Sequence, residues 1–336
     1  MEPRPVARFT TASGRNLYQI PLEVFPGFVG NVYVLTGGDG VILVDCGSGM
    51  EQARRELVAG FAAIGERFGE PVTLQDVSAI LITHGHIDHF GGLPWAKAET
   101  GAPAGVHILD RRVLSSYEER VVVASKGVAS FLERAGVSPE ARAGMMEMYL
   151  FAKGRYHSTP VDFLLEEGQP TPGGLEVFHV PGHCPGQVCL RVDDVLLTAD
   201  HVLARITPNQ APEAITQYTG LGHYLESLDK IARVPGIRLG LGGHEGPIDD
   251  LYGRVGEIRQ VHERRLEQVL EICREPRSTV EISRKLFGVR QSYHILLALI
   301  ETGAHLEYLY QRGELYATNV EEIEAQDNPV IRYRRF

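Results

Sequence analysis

Four short apolar runs, each stopping just before residues that can do chemistry, constrain this chain more than any other feature. VSAILIT (77–83) runs into His84, LEVFHV (175–180) is followed by His183, VLLTA leads into Asp200, and IRLGLGG leads into His244. A fifth run, VILVD (41–45), ends in CGSG. Such runs, bounded by glycine or proline, suit strands buried on both faces. Residues 17–25 and 32–36 add strands of partly alternating pattern. Between them, residues 50–69 carry Leu57, Phe61, Ile64 and Phe68 at helical spacing, and 220–233 is also helical. In α/β layouts of this kind, ligand-bearing loops leave strand ends on one side of the sheet.

The segment His84-Gly85-His86-Ile87-Asp88-His89 places three imidazoles and a carboxylate within six residues. A helix would put only some of them on one face, whereas a loop leaving a strand can curl them around a point. Imidazole together with carboxylate suits Zn, Fe or Mn. His183, Asp200 and His244, taken with that loop, form a candidate ligand set. No G-x-S-x-G elbow or G-x-G-x-x-G loop offers a competing chemistry.

A chain of 336 residues implies one large α/β domain or two domains. Its formal net charge of −10 argues against a broad electrostatic footprint for nucleic acid. No apolar run is long enough to span a bilayer, and MEPRPVARFTTASGR has no apolar leader stretch, so no membrane partner or secretory signal is expected. Cys46, Cys184, Cys189 and Cys273 form no C-x-x-C pair and no disulfide framework, which makes a reduced, cytoplasmic setting the expectation. A homodimer is the base-rate expectation.

The strand rhythm breaks over residues 111–157, which read as a helical insertion with a Ser138-Pro139 helix start. Met145, Met146, Met148, Tyr149, Leu150 and Phe151 crowd there. Two readings stand: a lid over an apolar ligand, or packing of the insertion onto the rest of the fold. From residue 253 onward the pattern is a long charged helix (253–274), STVEISRKLFG, a helix near 291–303, and LEYLYQRGELYAT (306–318) as a hairpin. That layout is a winged helix. Its presumed recognition helix, QSYHILLALIETG, holds no Lys or Arg, so a packing or dimerisation module is favoured over a DNA reader. The expected domains are therefore 1–252, with the insertion, and 253–336.

THGHIDHFGG, PGHCPGQ, TADHVL and GGHEGP, in this order, resemble the metallo-β-lactamase superfamily over about residues 20–250. The tail is similar to the winged-helix domain attached to one branch of it. The resemblance implies an αββα sandwich with metals at one edge. It implies that His84, His86 and His183 bind one divalent ion, that Asp88, His89 and His244 bind a second, and that Asp200 bridges them. Zinc is the first expectation for both ions, with iron or manganese as alternatives. An aspartate at the bridging position favours the glyoxalase II-like and ribonuclease-like branches. Two departures are Cys184, where threonine is usual, and His201 directly after the bridging aspartate.

Two such ions would make hydroxide available near pH 7 and leave the site positive, favouring anionic transition states at carbonyl or phosphoryl centres. The expected reaction is attack of a metal-bridging hydroxide on an ester, thioester or lactone, with a small acyl compound as substrate. Single-strand endoribonuclease or phosphodiesterase activity is the first alternative, and a non-catalytic binding protein on a hydrolase scaffold the second. Asp88 and His201 are the candidate catalytic residues. Tyr218, Tyr224, Met145 and Tyr149 are the candidate substrate contacts.

Overall fold

The computed structural model describes residues 4–336. Two sheets make its centre. The first has seven strands in sequential order: β1 (Ala7–Thr10), β2 (Asn16–Phe25), β3 (Phe28–Gly38), β4 (Gly40–Val44), β5 (Val77–Leu81), β6 (Ala104–Val106) and β7 (Phe163–Leu164). Pairing is antiparallel from β1 to β4 and parallel from β4 to β7. The second sheet contains β8 (Glu176–His179), β9 (Val188–Val192), β10 (Val195–Ala199), β11 (Leu239–Gly242) and β12 (Pro247–Ile248), in the order β12-β11-β10-β9-β8. A parallel β10–β11 pair sits among antiparallel neighbours.

Period-two geometry explains why these strands read as continuous apolar runs. Leu17, Leu35, Ile42, Val44 and Leu81 face inward, against Val177, Leu190, Val195, Leu197 and Leu241 of the opposite sheet. Their neighbours Tyr18, Ile20, Val34, Leu43 and Ile80 face outward and are covered too. The cover is α1 (Glu51–Phe68), with α2 (Ile87–Phe90) and α3 (Leu93–Thr100). Leu57, Phe61 and Ile64 of α1 are buried as their spacing predicts. On the far side, α7 (Leu221–Ala232) and the first half of α8 (Leu251–Ile272) cover the second sheet, following the insertion helices α4 (Ile108–Ser115), α5 (Tyr117–Arg134) and α6 (Pro139–Lys153) in the chain. The architecture is the expected αββα sandwich.

The helix start expected at Ser138-Pro139 begins α6, where the Ser138 hydroxyl accepts from the Ala141 N–H. No residue of α6 is fully buried. Its Met145, Met146 and Tyr149 are half-covered, and they pack with Val128 and Leu132 of α5 against Leu296 and Leu299. Those leucines belong to α10 (Tyr293–Gln311), which follows α9 (Thr279–Phe287). The insertion therefore leans on the C-terminal helices.

The hairpin expected over 306–318 is a correction. Residues 306–311 continue α10, because Leu306 and Leu309 lie on one helical face, buried against Val269 of α8 and Ile282 of α9. The chain turns at Gly313 (φ 73°), and β14 (Leu315–Ala317) pairs instead with β15 (Arg332–Arg335), beyond α11 (Val320–Ala325). β15 also pairs with β13 (Arg277–Ser278), making a small third sheet. The boundary expected at 252/253 falls inside α8, a continuous helix that packs on the sandwich through Val255 and Ile258 and on the C-terminal helices through Val269. No helix among the described residues is long and apolar enough to cross a membrane. All four cysteines are free and buried.

Candidate metal centre

His84, His183, Asp200 and His244 stand where the chain leaves a strand, and Asp88 and His89 lie in the short α2 that follows the β5 exit, not in a loop. β4 hands over to Asp45, β5 to Thr83 and His84, β8 to the loop with His183, β10 to Asp200 and β11 to His244. Three non-glycine residues at these exits take left-handed backbone conformations: Asp45 (φ 62°), Ala199 (φ 45°) and Glu245 (φ 65°). Strain of this kind persists only where surrounding contacts enforce it. The β11 exit shows such contacts: Tyr33 Oη donates to the Gly242 carbonyl at 2.6 Å, and Asn31 Nδ2 donates to those of Gly242 and Glu245 at 3.1 and 3.0 Å.

All seven expected ligand residues meet. His86 Nδ1 lies 3.0 Å from His84 Nε2 and 2.9 Å from His183 Nε2. His244 Nε2 lies 3.4 Å from Asp88 Oδ2 and 3.3 Å from Asp200 Oδ2. Asp200 stands between the two groups, with Oδ1 3.5 Å from His89 Nε2 and Oδ2 3.7 Å from His183 Nε2. His86, Asp88 and His183 keep part of their surface open, whereas His84 and His89 are closed off, so the centre has one accessible side.

The other nitrogen of four of these imidazoles is already engaged. His84 Nδ1 donates to Thr83 Oγ1 at 3.1 Å, and His89 Nδ1 donates to Asp45 Oδ2 at 2.7 Å. His183 Nδ1 donates to the Asn209 carbonyl at 2.8 Å, and His244 Nδ1 to that of Val29 at 2.7 Å. Each bond occupies Nδ1 and leaves Nε2 as the nitrogen that faces inward. Three nitrogens crowded within about 3 Å cannot each find a proton donor, and His89 Nε2 and Asp200 Oδ1 are buried without a hydrogen-bond partner. A buried, converging set of imidazole and carboxylate donors in that state fits divalent cations.

Electrostatics agree. Burial pushes His84 and His86 well below the ordinary histidine value, which keeps them neutral. Burial opposes ionisation of Asp88 and Asp200 too, but the adjacent His89 and His244 overcome it and hold both carboxyls low. In return, against the burial penalty, Asp200 with its neighbours raises His89, and raises His244 to about 10. Without metal, protons on these two histidines balance the carboxylates. Gly243 fits this crowding, since a Cβ there would fall 2.3 Å from Asp200 Oδ1 and 2.6 Å from His89 Cε1.

Two buried carboxylates escaped the sequence reading. Asp45 accepts from Thr83 N and Thr83 Oγ1, both at 2.8 Å, as well as from His89, and so ties β4 to the ligand loop. Its signal was an aspartate ending an apolar run, as at TAD. Asp110, in α4, accepts from Gly85 N at 2.7 Å, Gly186 N at 2.9 Å and Cys184 Sγ at 3.2 Å. It clamps the His84–His86 loop to the His183 loop, and no local pattern announces it. The Cys184 thiol, which burial pushes well up, is committed to this hydrogen bond with Asp110.

The candidate catalytic and substrate residues fare differently. His201 is fully buried, and burial pushes it down to about 3, so it cannot hand a proton to a substrate. Tyr224 is also fully buried, its hydroxyl donating to the His201 carbonyl at 2.9 Å, which makes it a packing residue. Tyr218 is 49% exposed and lies beside His223 and Glu213 at the surface. Met145 and Tyr149 pack toward α10, as described above. Lys153, the last residue of α6, and Tyr156, three residues on, instead lie near enough for the Asp88 charge to act on them. Asp88 counters the burial that lowers the Lys153 ammonium, and the Tyr156 ring closes on Gly91, just past His89.

The model of the Metallo-beta-lactamase superfamily matches residues 25–266. A crystal structure of a metallo-beta-lactamase family protein from Thermus thermophilus is 30% identical, with a TM-score of 0.77 over 95% of this chain and 98% of that one. A probable metallo-hydrolase of Bacillus subtilis is 25% identical over 297 residues, 84% of this chain and 89% of that protein. An atrochrysone carboxyl ACP thioesterase of Aspergillus fumigatus is 26% identical over 245 residues, 71% of this chain but only 58% of the thioesterase. With the family match spanning most of the sandwich and the whole donor set, this chain belongs to the metallo-beta-lactamase superfamily.

Proposed function

We propose that this chain is a dinuclear metal-dependent hydrolase of thioesters, esters or lactones. The observation that carries the reading is the convergence of His84, His86, Asp88, His89, His183, Asp200 and His244, with four imidazoles pre-oriented by a bond at the far nitrogen. His84, His86 and His183 would hold one ion, Asp88, His89 and His244 the other, and Asp200 both. Divalent ions bound there supply hydroxide near neutral pH and attract an anionic transition state.

The protein's own groups favour certain leaving groups. An alkoxide or amine needs a proton as it departs, whereas a thiolate or an activated phenolate leaves unaided. His201 is enclosed and does not reach a substrate, so a departing alkoxide or amine would have to draw its proton from Lys153 or Tyr156, whereas a thiolate needs none. Asp88, ionised through its neighbours, would accept a hydrogen bond from the attacking water at the open side of the centre. Lys153 would attract a carboxylate or developing oxyanion on the acyl part, and Tyr156 would wall it. The relative named as an acyl carrier protein thioesterase supports the same substrate class.

The test is a side-by-side panel of aryl esters, acyl thioesters, lactones and unstructured RNA with zinc-, iron- or manganese-loaded protein. Thioester or aryl ester turnover, lost on chelation and reduced at least about a hundredfold by His84→Ala, is the expected result. Cleavage of RNA alone, weakening with salt, would replace this reading with a nuclease.

A further inference from the structure

The chain between β10 and α7, residues 201–220, has no helix or strand of its own although it borders the metal centre. Irregular stretches of this length are uncommon in compact domains, and this one is held from outside. Here the holders are α8 and α10. Arg254 of α8 donates to the Leu203 carbonyl at 2.7 Å and the Ile206 carbonyl at 2.9 Å. Arg265 of α8 reaches Thr207 Oγ1 at 3.3 Å. Glu301 of α10, only 5% exposed, accepts from Asn209 Nδ2 at 2.9 Å and from Gln210 N at 2.6 Å. Glu307 accepts from Glu213 N at 2.6 Å and Ala214 N at 3.0 Å.

One of these bonds leads directly to the centre. The Asn209 carbonyl takes the Nδ1–H of His183, fixing both tautomer and ring direction, while the Asn209 side chain is held by Glu301 and by the Leu297 carbonyl at 3.3 Å. Glu301 is itself fixed by Arg265 Nη1 at 2.8 Å. His262 and His305 stand beside it, but its Oε1 is already paired with Arg265 and His305 Nδ1 donates to the Glu301 carbonyl at 2.8 Å. With the Arg265 cation already on Glu301, the group works here as a strut between α8, α10 and the loop. We infer that Glu301 and Asn209 are positioning residues for His183, so that the C-terminal helices, far along the chain from every ligand, set the affinity of the His84–His86–His183 ion site.

The inference rests on the dinuclear reading above, and cobalt(II) titration of the metal-free 336-residue chain, followed by visible absorption, tests the two separately. Wild-type protein that binds no cobalt would remove the parent reading. With two equivalents bound, Asn209→Ala and Glu301→Ala are expected to weaken one equivalent by roughly tenfold and alter its absorption, leaving the other within about twofold. Glu301→Gln, which keeps one acceptor oxygen for Asn209 Nδ2 and Gln210 N but gives up the pair with Arg265, is expected to restore part of the affinity. Glu307→Ala frees the same loop at Glu213 and Ala214 and is expected to leave both equivalents unchanged. Unchanged binding in Asn209→Ala, or an equal loss in Glu307→Ala, overturns the inference. Should Glu301→Ala fail to fold, Asn209→Ala decides alone.

Discussion

Asp110 shows how much one carboxylate outside the ligand set can carry. Fully buried, it satisfies two backbone N–H groups, Gly85 and Gly186, on the two loops that bear His84, His86 and His183. Replacing it by alanine orphans both donors, at about 1–3 kcal/mol each. Asp110→Ala should therefore lower unfolding stability by about 2–5 kcal/mol in urea titrations and weaken metal retention along with it. Gly186 has to be glycine here, because a Cβ would lie 2.6 Å from Asp110 Cγ. The ligands themselves make a second prediction. In the metal-free protein Asp200 and its neighbours raise His89 and His244, the latter to about 10, against the burial penalty. Ions binding at pH 7 must displace those protons, about two in number. Calorimetry in buffers of different ionisation enthalpy should show this release, and metal affinity should climb with pH from 6 to 8; pH-independent affinity would contradict the protonated metal-free state.

Among the elements, α1 and α10 teach opposite lessons about periodicity. The α1 stripe of Leu57, Phe61 and Ile64 was legible because one face meets one sheet. Between them Gly60 lets the helix approach β2 closely: a Cβ would fall 2.4 Å from Ile20 Cγ2. Alanine gains about 1 kcal/mol of helix propensity over glycine, but overpacking a β-branched neighbour costs about 1–3 kcal/mol. Gly60→Ala is thus expected to destabilise the protein by up to about 2 kcal/mol in thermal or urea unfolding, and a stabilised variant would show that α1 can shift away. In α10 the stretch Leu306–Tyr310 is short and rich in leucine and tyrosine, which suits a strand as well as a helix. Leu306 and Leu309 are three apart, and the hydrophobic surfaces of α8 and α9 lie on one side only, so the helix prevails. Local pattern could not decide this, because both periods fit so short a window.

Across the whole molecule, the C-terminal helices are joined to the sandwich without a flexible link, since α8 belongs to both. The polar strut at that junction should make stability pH-dependent. Burial, with His305 and Arg265, pushes His262 well below its ordinary 6.5, and burial lowers His305, with Glu301 opposing. Tyr224 from α7 is the remaining titratable neighbour of His262. A depressed folded-state value means that the unfolded chain binds the proton first. The stability contribution is therefore complete above pH 6.5 and is lost as pH falls below it. Replacing His262 by phenylalanine should flatten the decline in melting temperature between pH 6.5 and 5, relative to wild type; an unchanged slope would place the acid sensitivity elsewhere.

What was legible beforehand divides along a physical line. Strand runs, the α1 stripe and the seven candidate ligands could be read from the chain, because a strand buried on both faces must be apolar throughout and its exit is where polar groups can gather. His84 to His89 are close in sequence, and His183, Asp200 and His244 each follow such a run. Asp110, Asn209 and Glu301 could not be read that way, nor could the enclosure of His201 and Tyr224. Their roles are set by which carbonyl, N–H or ring lies across from them, on elements distant in the chain, and no local period encodes that pairing. Sequence by itself therefore determined which atoms could take a metal. Tertiary packing alone decided how the histidines are oriented, which side of the centre stays open, and that the last helices brace the loop beneath His183.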